Sequence, residues 1–320
     1  MKDSTIISVG ELLVEFVSHS KGCELKQLSE YSGPYPSGAP AICIDQVARM
    51  GASASIVGAI GDDNFGHSLI ERLNSNGVDT NGVQRHADKT TGVAFVSYFE
   101  DGSRTFIFHL HDTAADSISI NELPVPAGPV ILHVSGSSLG NPLLRAAIEK
   151  AADKVIKQGG QISCDPNARV ELMKDQQAGA ALFNIVKKSH YLFPSDADLE
   201  FLFPDKSVDA ALKELLSYTA ETVVMTQGEN GCTIYKDEQT IQLPGYKVDE
   251  VDPTGAGDCF CGTFLAMIAQ DSSIETCGKY ANAAGAMAVT KRGPMEGNSD
   301  RASVEQFMQA RNAKNKVTLS

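Results

Sequence analysis

The segment with the clearest chemical content is Asp252-Pro253-Thr254-Gly255-Ala256-Gly257-Asp258, followed by the apolar run CFCGTFLAMIA. Its two glycines stand where a turn feeds a helix. Lacking a Cβ, they let the backbone approach a ligand and aim successive N–H groups at one point. The first turn of the helix adds N–H donors without intrahelical partners and the positive end of its dipole. Such a loop is an anion hole suited to a phosphoryl group in transfer. Asp258 falls in that first turn, where a carboxylate is favoured in its ionised form and is available as a proton acceptor. The same residues also have a plainer reading. Asp-Pro-Thr-Gly is good turn chemistry, and an aspartate near a helix start is a routine stabiliser. No Gly-Lys-Ser/Thr follows, so this is not a Walker A loop.

The elements that must hold this loop are best defined between residues 130 and 226. VILHVS (130–135), QISCD (161–165), YLF (191–193) and TVVMT (222–226) read as strands. They alternate with helical spacing over 142–158, ended by Gly159-Gly160, and with helical segments at 177–188 and 207–218. Apolar strands alternating with amphipathic helices imply a parallel sheet covered on both faces, with ligands beyond the carboxyl ends of its strands. TIISV (5–9) and SIVGAI (55–60) fit the same sheet, with helices at about 39–50 and between Asp62 and Gly77. Residues 92–110 differ: two β-rich runs flank Asp101-Gly102 and form a hairpin. With residues 12–18 and the region near Tyr31, this hairpin reads as a small β lid. The expectation is therefore a single α/β domain over residues 1–320, with the lid built from about 12–35 and 92–112.

Bulk composition narrows the partners. The chain has 320 residues, 42% hydrophobic composition and a formal net charge of -13. A duplex nucleic acid or an anionic membrane is repelled over most of such a surface. The opening MKDSTIISVGELLVEF shows no signal-peptide pattern, and the apolar stretch around 259–269 is too short to span a bilayer. Seven cysteines at 23, 43, 164, 232, 259, 261 and 277 include no C-x-x-C pair. They read as reduced, mostly core thiols of a cytoplasmic protein.

The ordered motifs resemble those of the ribokinase-like (PfkB) carbohydrate kinases. The resemblance rests on DPTGAGD and its small-residue helix, on Val9-Gly10-Glu11, Ser37-Gly38-Ala39-Pro40-Ala41, VGAIGDDNFG (57–66), HVSG (133–136) and CDPNAR (164–169). TQGENG (226–231) and the stretch Tyr280 to Ala286 complete it. It implies a doubly wound, mostly parallel sheet with helices on both faces and a β-sheet lid, acting as an ATP-dependent sugar kinase. It also implies roles residue by residue. Asp258 is similar to the family's catalytic base, and Gly255, Ala256 and Gly257 to its anion hole. Thr226, Gly228, Gly231 and Asn282 resemble nucleotide-site residues, with Ser195 on the nucleotide side. Glu15, Gly38 and Arg169 resemble sugar-site residues. Asp198 resembles a carboxylate linked to magnesium (Mg2+) through water, and Asp252 with Thr254 the start of a loop for a monovalent cation such as K+. A small-molecule sugar is the expected partner, with a homodimer formed through the lid.

Three positions depart from the family pattern: Ser37 replaces a glycine, Ile42 an asparagine, and Ser195-Asp196-Ala197-Asp198 an Asn-x-x-Glu. His109 and His111 alternate along the hairpin, so they share a face. Two such histidines suit either a metal or, better, a sugar site reached from the lid, and His109 is taken as a substrate contact. Asp165 and Asn167 stand just past a strand end, placed either for ligand contact or to cap the next segment. A neutral ketohexose, tagatose or fructose, is expected ahead of 2-keto-3-deoxygluconate. An acid sugar calls for a bidentate arginine, and the lid stretch Phe108-His109-Leu110 carries none. A catalytically idle sugar- or nucleotide-binding regulator on the same fold is the alternative. A dehydrogenase is not supported, because no G-x-G-x-x-G follows an early strand.

Overall fold

The computed structural model describes residues 2–22, 24–99, 104–119, 124–168, 172–173, 175–218 and 221–317, the stretch 312–317 as backbone alone. Arg169, the turn at Asp101-Gly102 and Cys23 lie outside the described residues.

In chain order the elements are β1 (Thr5–Val9), β2 (Leu13–Ser18), β3 (Tyr31–Ser37), α1 (Ala39–Arg49), β4 (Ala54–Gly61), α2 (Asn64–Ser75), β5 (Asp79–His86), β6 (Gly92–Tyr98), β7 (Arg104–His109), β8 (Val130–Ser135), α3 (Pro142–Lys157), β9 (Gln161–Asp165), α4 (Gln176–Lys188), β10 (Tyr191–Leu192), α5 (Asp196–Leu202), α6 (Val208–Leu215), β11 (Thr222–Thr226), β12 (Cys232–Lys236), β13 (Gln239–Leu243), α7 (Ala256–Ala269), α8 (Ile274–Ala288) and α9 (Arg301–Val317). The main sheet runs β13-β12-β11-β10-β9-β8-β1-β4-β5. It is parallel from β11 to β5, and β12 and β13 add an antiparallel hairpin at one edge.

Two apolar clusters cover the sheet. One joins it to α1, α2, α7 and α8, and the other to α3, α4, α5 and α6. This is why the central strands read as unbroken apolar runs: every residue of β8 and β4 is buried. α7 is apolar around most of its circumference, as a helix packed between sheet and neighbours must be. The six described cysteines, Cys43, Cys164, Cys232, Cys259, Cys261 and Cys277, are buried and unbridged. No helix among the described residues is long and apolar enough to cross a membrane.

β1 lies between β8 and β4, so the chain leaves it toward both halves of the sheet. A crevice opens beyond its carboxyl end, the place where such sheets bind ligands. A second sheet, β3-β2-β6-β7, stands over that end. β2 and β6 pair parallel, while β3 and β7 flank them antiparallel. This places the lid strands where the hairpin at 92–110 and the run at 12–18 indicate. β5, the β12–β13 hairpin and α5 are additions that apolar periodicity does not reveal. β5 (DTNGVQRH) is a largely polar edge strand, and α5 is only 7 residues long.

Candidate active site

The way each helix begins separates the site from the scaffold. Side chains cap α2 (Asp63), α3 (Asn141), α4 (Asp175), α5 (Ser195), α6 (Ser207) and α8 (Ser273). Each such cap accepts an N–H of the first turn and is worth about 1 kcal/mol. α1 and α7 begin instead on Gly38 and Gly255, with no side-chain cap. No side chain covers their first-turn N–H groups; Pro40 has none, and the Ala256 N–H reaches the Pro253 carbonyl at 3.4 Å. Both starts line one small cavity of about 60 Å3, together with Asp258, Glu15, Asn167, Phe106 and Phe108.

Both cap glycines are required by their backbones. Gly38 has φ 106°, and a Cβ there would lie 2.4 Å from the Glu11 carbonyl oxygen. Gly255 has φ 80°, and its Cβ would lie 2.3 Å from the Pro294 carbonyl oxygen. Gly257 is different: the nearest atom to a Cβ there is Asp165 Oδ2 at 4.0 Å, so its missing side chain leaves open space. Asp258 sits in the first turn of α7 and is 8% exposed. The dipole of α7 favours its anionic form.

The loop before Asp258 is the wall between two cavities. Thr254, Gly255 and Asp258 line the small one. Ala256, Gly257 and Pro253 line the other, of about 520 Å3, which also takes in Thr226, Gly228, Gly231 and Asn282. Tyr246, Phe260 and Val289 supply apolar walls to the larger cavity. Asn282 Nδ2 donates to the carbonyls of Leu243 and Pro244, each at 3.2 Å, so this amide also anchors the cavity wall.

Glu15, 3% exposed, accepts a hydrogen bond from Ser37 Oγ at 3.3 Å. Ser37 thus orients the Glu15 carboxylate in the small cavity. Ile42 lines the same cavity with an apolar wall. Asn167 lines it as well, held at φ 35° with its N–H on Asp165 Oδ1 at 3.1 Å and its Nδ2 on Ser135 Oγ at 3.2 Å. Glu11 is buried beneath. It accepts hydrogen bonds from Ser138 Oγ at 2.5 Å and Ser137 Oγ at 3.3 Å, and burial raises its pKa above the ordinary carboxylate range.

This geometry bears on three groups of expected residues. His109 does not line the small cavity. β7 alternates, so Phe106 and Phe108 line the cavity while His109 is exposed on the other face, edge-on to Phe95 at 6.2 Å. His111 lies beyond the end of β7 and pairs with Asp116 at 3.1 Å, so the two histidines do not share a strand face. Ser195 and Asp198 form a reciprocal capping box on α5. Asp198 also accepts the Ala168 N–H at 3.0 Å, and Ser195 is not among the residues lining the larger cavity. The Asp252 loop is closed on itself. Asp252 Oδ1 accepts the Tyr98 hydroxyl and the Thr254 N–H, and Oδ2 accepts the Gly293 N–H at 2.9 Å. Thr254 Oγ meets the Tyr98 hydroxyl at 2.5 Å. These side chains satisfy one another in this structure. Burial and the Asp252 carboxylate raise the Tyr98 pKa, so this hydroxyl stays protonated. Tyr98 belongs to the small sheet, so the contact ties that sheet to the loop before Asp258.

The pfkB family carbohydrate kinase model matches residues 3–301, and the chain belongs to that family. Fructokinase-1 of Oryza sativa subsp. japonica is 35% identical over 303 residues, covering 91% of this chain and 94% of that protein. Fructokinase-1 of Zea mays is 33% identical, covering 95% and 97%. Among solved structures, an E. coli protein provisionally named ribokinase II is 36% identical, with a TM-score of 0.88 over 96% of this chain and 99% of that one; it was solved in complex with ATP and Mg2+. Vibrio cholerae fructokinase, solved with fructose, ADP and a calcium ion, is 25% identical, with a TM-score of 0.84 over 96% and 99%.

Phe106, Phe108, Ser37 and Glu11 are among the residues of the small cavity that the motifs leave without a role. Strict alternation along TFIFH offers either face to the cavity, so only the tertiary position of β7 selects the phenylalanines.

Proposed function

We propose that this chain transfers the γ-phosphoryl group of ATP to a hydroxyl of a neutral ketohexose, fructose or tagatose. The observation that carries the reading is the placement of the Gly255–Gly257 loop as a shared wall, with Asp258 on the sugar side and Gly257 on the nucleotide side. In this reading Asp258 accepts the proton of the attacking hydroxyl. The N–H groups of residues 255–257 stabilise charge on the group in transfer. Glu15 and Asn167 hold sugar hydroxyls, and Phe106 and Phe108 pack on the C–H face. The nucleotide occupies the cavity of Thr226, Gly228, Gly231 and Asn282, and magnesium enters as part of the nucleotide substrate, where it neutralises phosphate charge. The names of the fructokinase relatives support the ketohexose.

The cavity chemistry favours a neutral sugar. Glu11, Glu15 and Asp258 line it, and the described lining residues include no Arg or Lys. Arg104 shares the lid face of Phe106 but stacks over that ring, 5.6 Å from its centroid, outside the lining. The test is kcat/KM over D-fructose, D-tagatose, D-ribose and 2-keto-3-deoxygluconate at pH 7.5. A ketohexose is expected to lead, and an acid sugar exceeding both ketohexoses contradicts the proposal.

Two expected results follow from individual contacts. Glu15→Ala removes a buried acceptor for sugar hydroxyls. Such charged hydrogen bonds are worth about 1.5–3 kcal/mol, so KM for the sugar should rise about tenfold or more, while KM for ATP holds. An unchanged sugar KM removes Glu15 from the site. The closed Asp252–Thr254–Tyr98 network predicts that replacing potassium by tetramethylammonium chloride changes kcat by less than about twofold, a difference read directly as transition-state free energy. Stimulation by potassium of about tenfold contradicts it.

The proposal extends to a homodimer through the lid. Phe16 stacks on Phe95 at 5.4 Å on the outer face, beside Ile107, which is 44% exposed. Sedimentation at two protein concentrations, with an Ile107→Glu variant, tests whether that face joins two copies.

A further inference from the structure

The sugar-side cavity does not end at Glu11. A second cavity of about 370 Å3 shares Glu11, Ser137 and Leu172 with it and continues away from Asp258. Its walls are mainly apolar: Leu110, Ala115, Pro142, Leu143 and Leu144. The polar groups at its edge are engaged with one another. Asn141 Oδ1 accepts the N–H groups of Leu143 and Leu144, Asn141 Nδ2 donates to Asp116 at 2.5 Å, and Asp116 pairs with His111 at 3.1 Å.

Size separates the two chambers. The smaller chamber measures about 60 Å3 and the larger about 370 Å3. A ketohexose has about a dozen non-hydrogen atoms, so even this sugar, placed with one hydroxyl at Asp258, reaches the edge at Glu11. Beyond that edge there is room for a further ring. Glu11 and Asp116 both face the chamber, which with the net charge of -13 disfavours an anionic group there. Apolar walls favour a ring with an apolar face, which a sugar ring seen along its C–H bonds and a flat aromatic ring both offer.

We propose that this chamber is a substrate subsite, which lets the site accept a ketose carrying a neutral ring substituent at the end remote from the phosphorylated hydroxyl. The inference rests on the ketohexose-kinase reading above. Glu11, held by Ser137 and Ser138, is the boundary the substrate crosses, and Leu143 at the start of α3 forms the outer wall.

The experiment measures kcat/KM, with mass detection of the phosphorylated product, for D-fructose, for the fructose disaccharides trehalulose, turanose and palatinose, and for benzyl β-D-fructoside. The parent enzyme and Leu143→Trp are compared. Leu143 is 43% exposed, so the larger side chain can be carried without disturbing the core. At least one extended ketose should be turned over with kcat/KM within about tenfold of D-fructose, the scale of a pocket accommodating an added apolar group. Leu143→Trp should lower that value at least about tenfold and leave D-fructose within about twofold. The disaccharide and benzyl arms show which kind of ring the walls prefer. Phosphorylation of D-fructose with none of the extended ketoses overturns the inference, as does an equal loss on both substrate classes in Leu143→Trp. Turnover of an extended ketose without D-fructose supports the subsite and contradicts the ketohexose reading. No turnover of any sugar contradicts both.

Discussion

Asp258→Asn is expected to fold like the parent and to lose on the order of 10² or more in kcat, the usual contribution of a positioned general base. Asparagine is nearly isosteric, and at the first turn of α7 the loss of the favourable charge–dipole term costs about 0.3–1 kcal/mol. The fold should therefore survive the change. What disappears is the carboxylate proposed to take the proton from the sugar hydroxyl. ATP affinity should change little, because Asp258 lines the sugar-side cavity and not the one that holds Thr226 and Asn282. A variant within about threefold of the parent, about 0.65 kcal/mol in the barrier, removes Asp258 from the role of base.

Gly255→Ala is expected to cost a similar amount by another route. The residue is held at φ 80°, where a Cβ costs roughly 1–2 kcal/mol. That Cβ would also meet the Pro294 carbonyl oxygen at 2.3 Å, a backbone atom that cannot rotate away. The loop must shift, and its N–H groups then miss the position where charge develops. Loss of one such donor lowers kcat by about 10²–10³. Gly257→Ala gives the contrast. Its Cβ meets only Asp165 Oδ2 at 4.0 Å, so the backbone is undisturbed, and the added methyl group sits on a residue that lines the nucleotide-side cavity. KM for ATP should rise there with a smaller loss in kcat. Equal kinetics for the two alanine variants would show that the loop does not hold the donors in place.

Much of this site is legible in the sequence because its chemistry is local. The DPTGAGD run sets a turn, a helix start and a carboxylate within seven consecutive residues, and no distant contact alters their order. The parallel core is legible for a related reason: strands buried on both faces, such as VILHVS and SIVGAI, read as unbroken apolar runs. The lid tells the opposite story. Along TFIFH either face could be the inner one, and the choice is made by the pairing of β7 with β6, whose Ala94 and Val96 lie opposite Phe108 and Phe106. Polar side chains invite a functional reading, so His109 stands out in the sequence, while the structure turns the phenylalanines inward.

Ser195 and Asp198 show a second limit. A serine followed three residues later by a carboxylate also spells a helix cap, and the cap is what forms. Tyr98 shows a third. Its contact with Asp252 spans 154 positions, and only the docking of the lid sheet over the carboxyl end of β1 brings the two together. The chamber beyond Glu11 arises in the same way, from four separate stretches around Glu11, Leu110, Ser137 and Leu172.

Transfer of label tests the central claim most directly. The enzyme is supplied with D-fructose, magnesium and ATP labelled at its γ-phosphorus, and the products are separated. The account predicts that label appears in a sugar phosphate in step with ADP release, and that both depend on the sugar and fall together in Asp258→Asn. ADP release that proceeds equally without sugar, or label that appears only as inorganic phosphate, would contradict it.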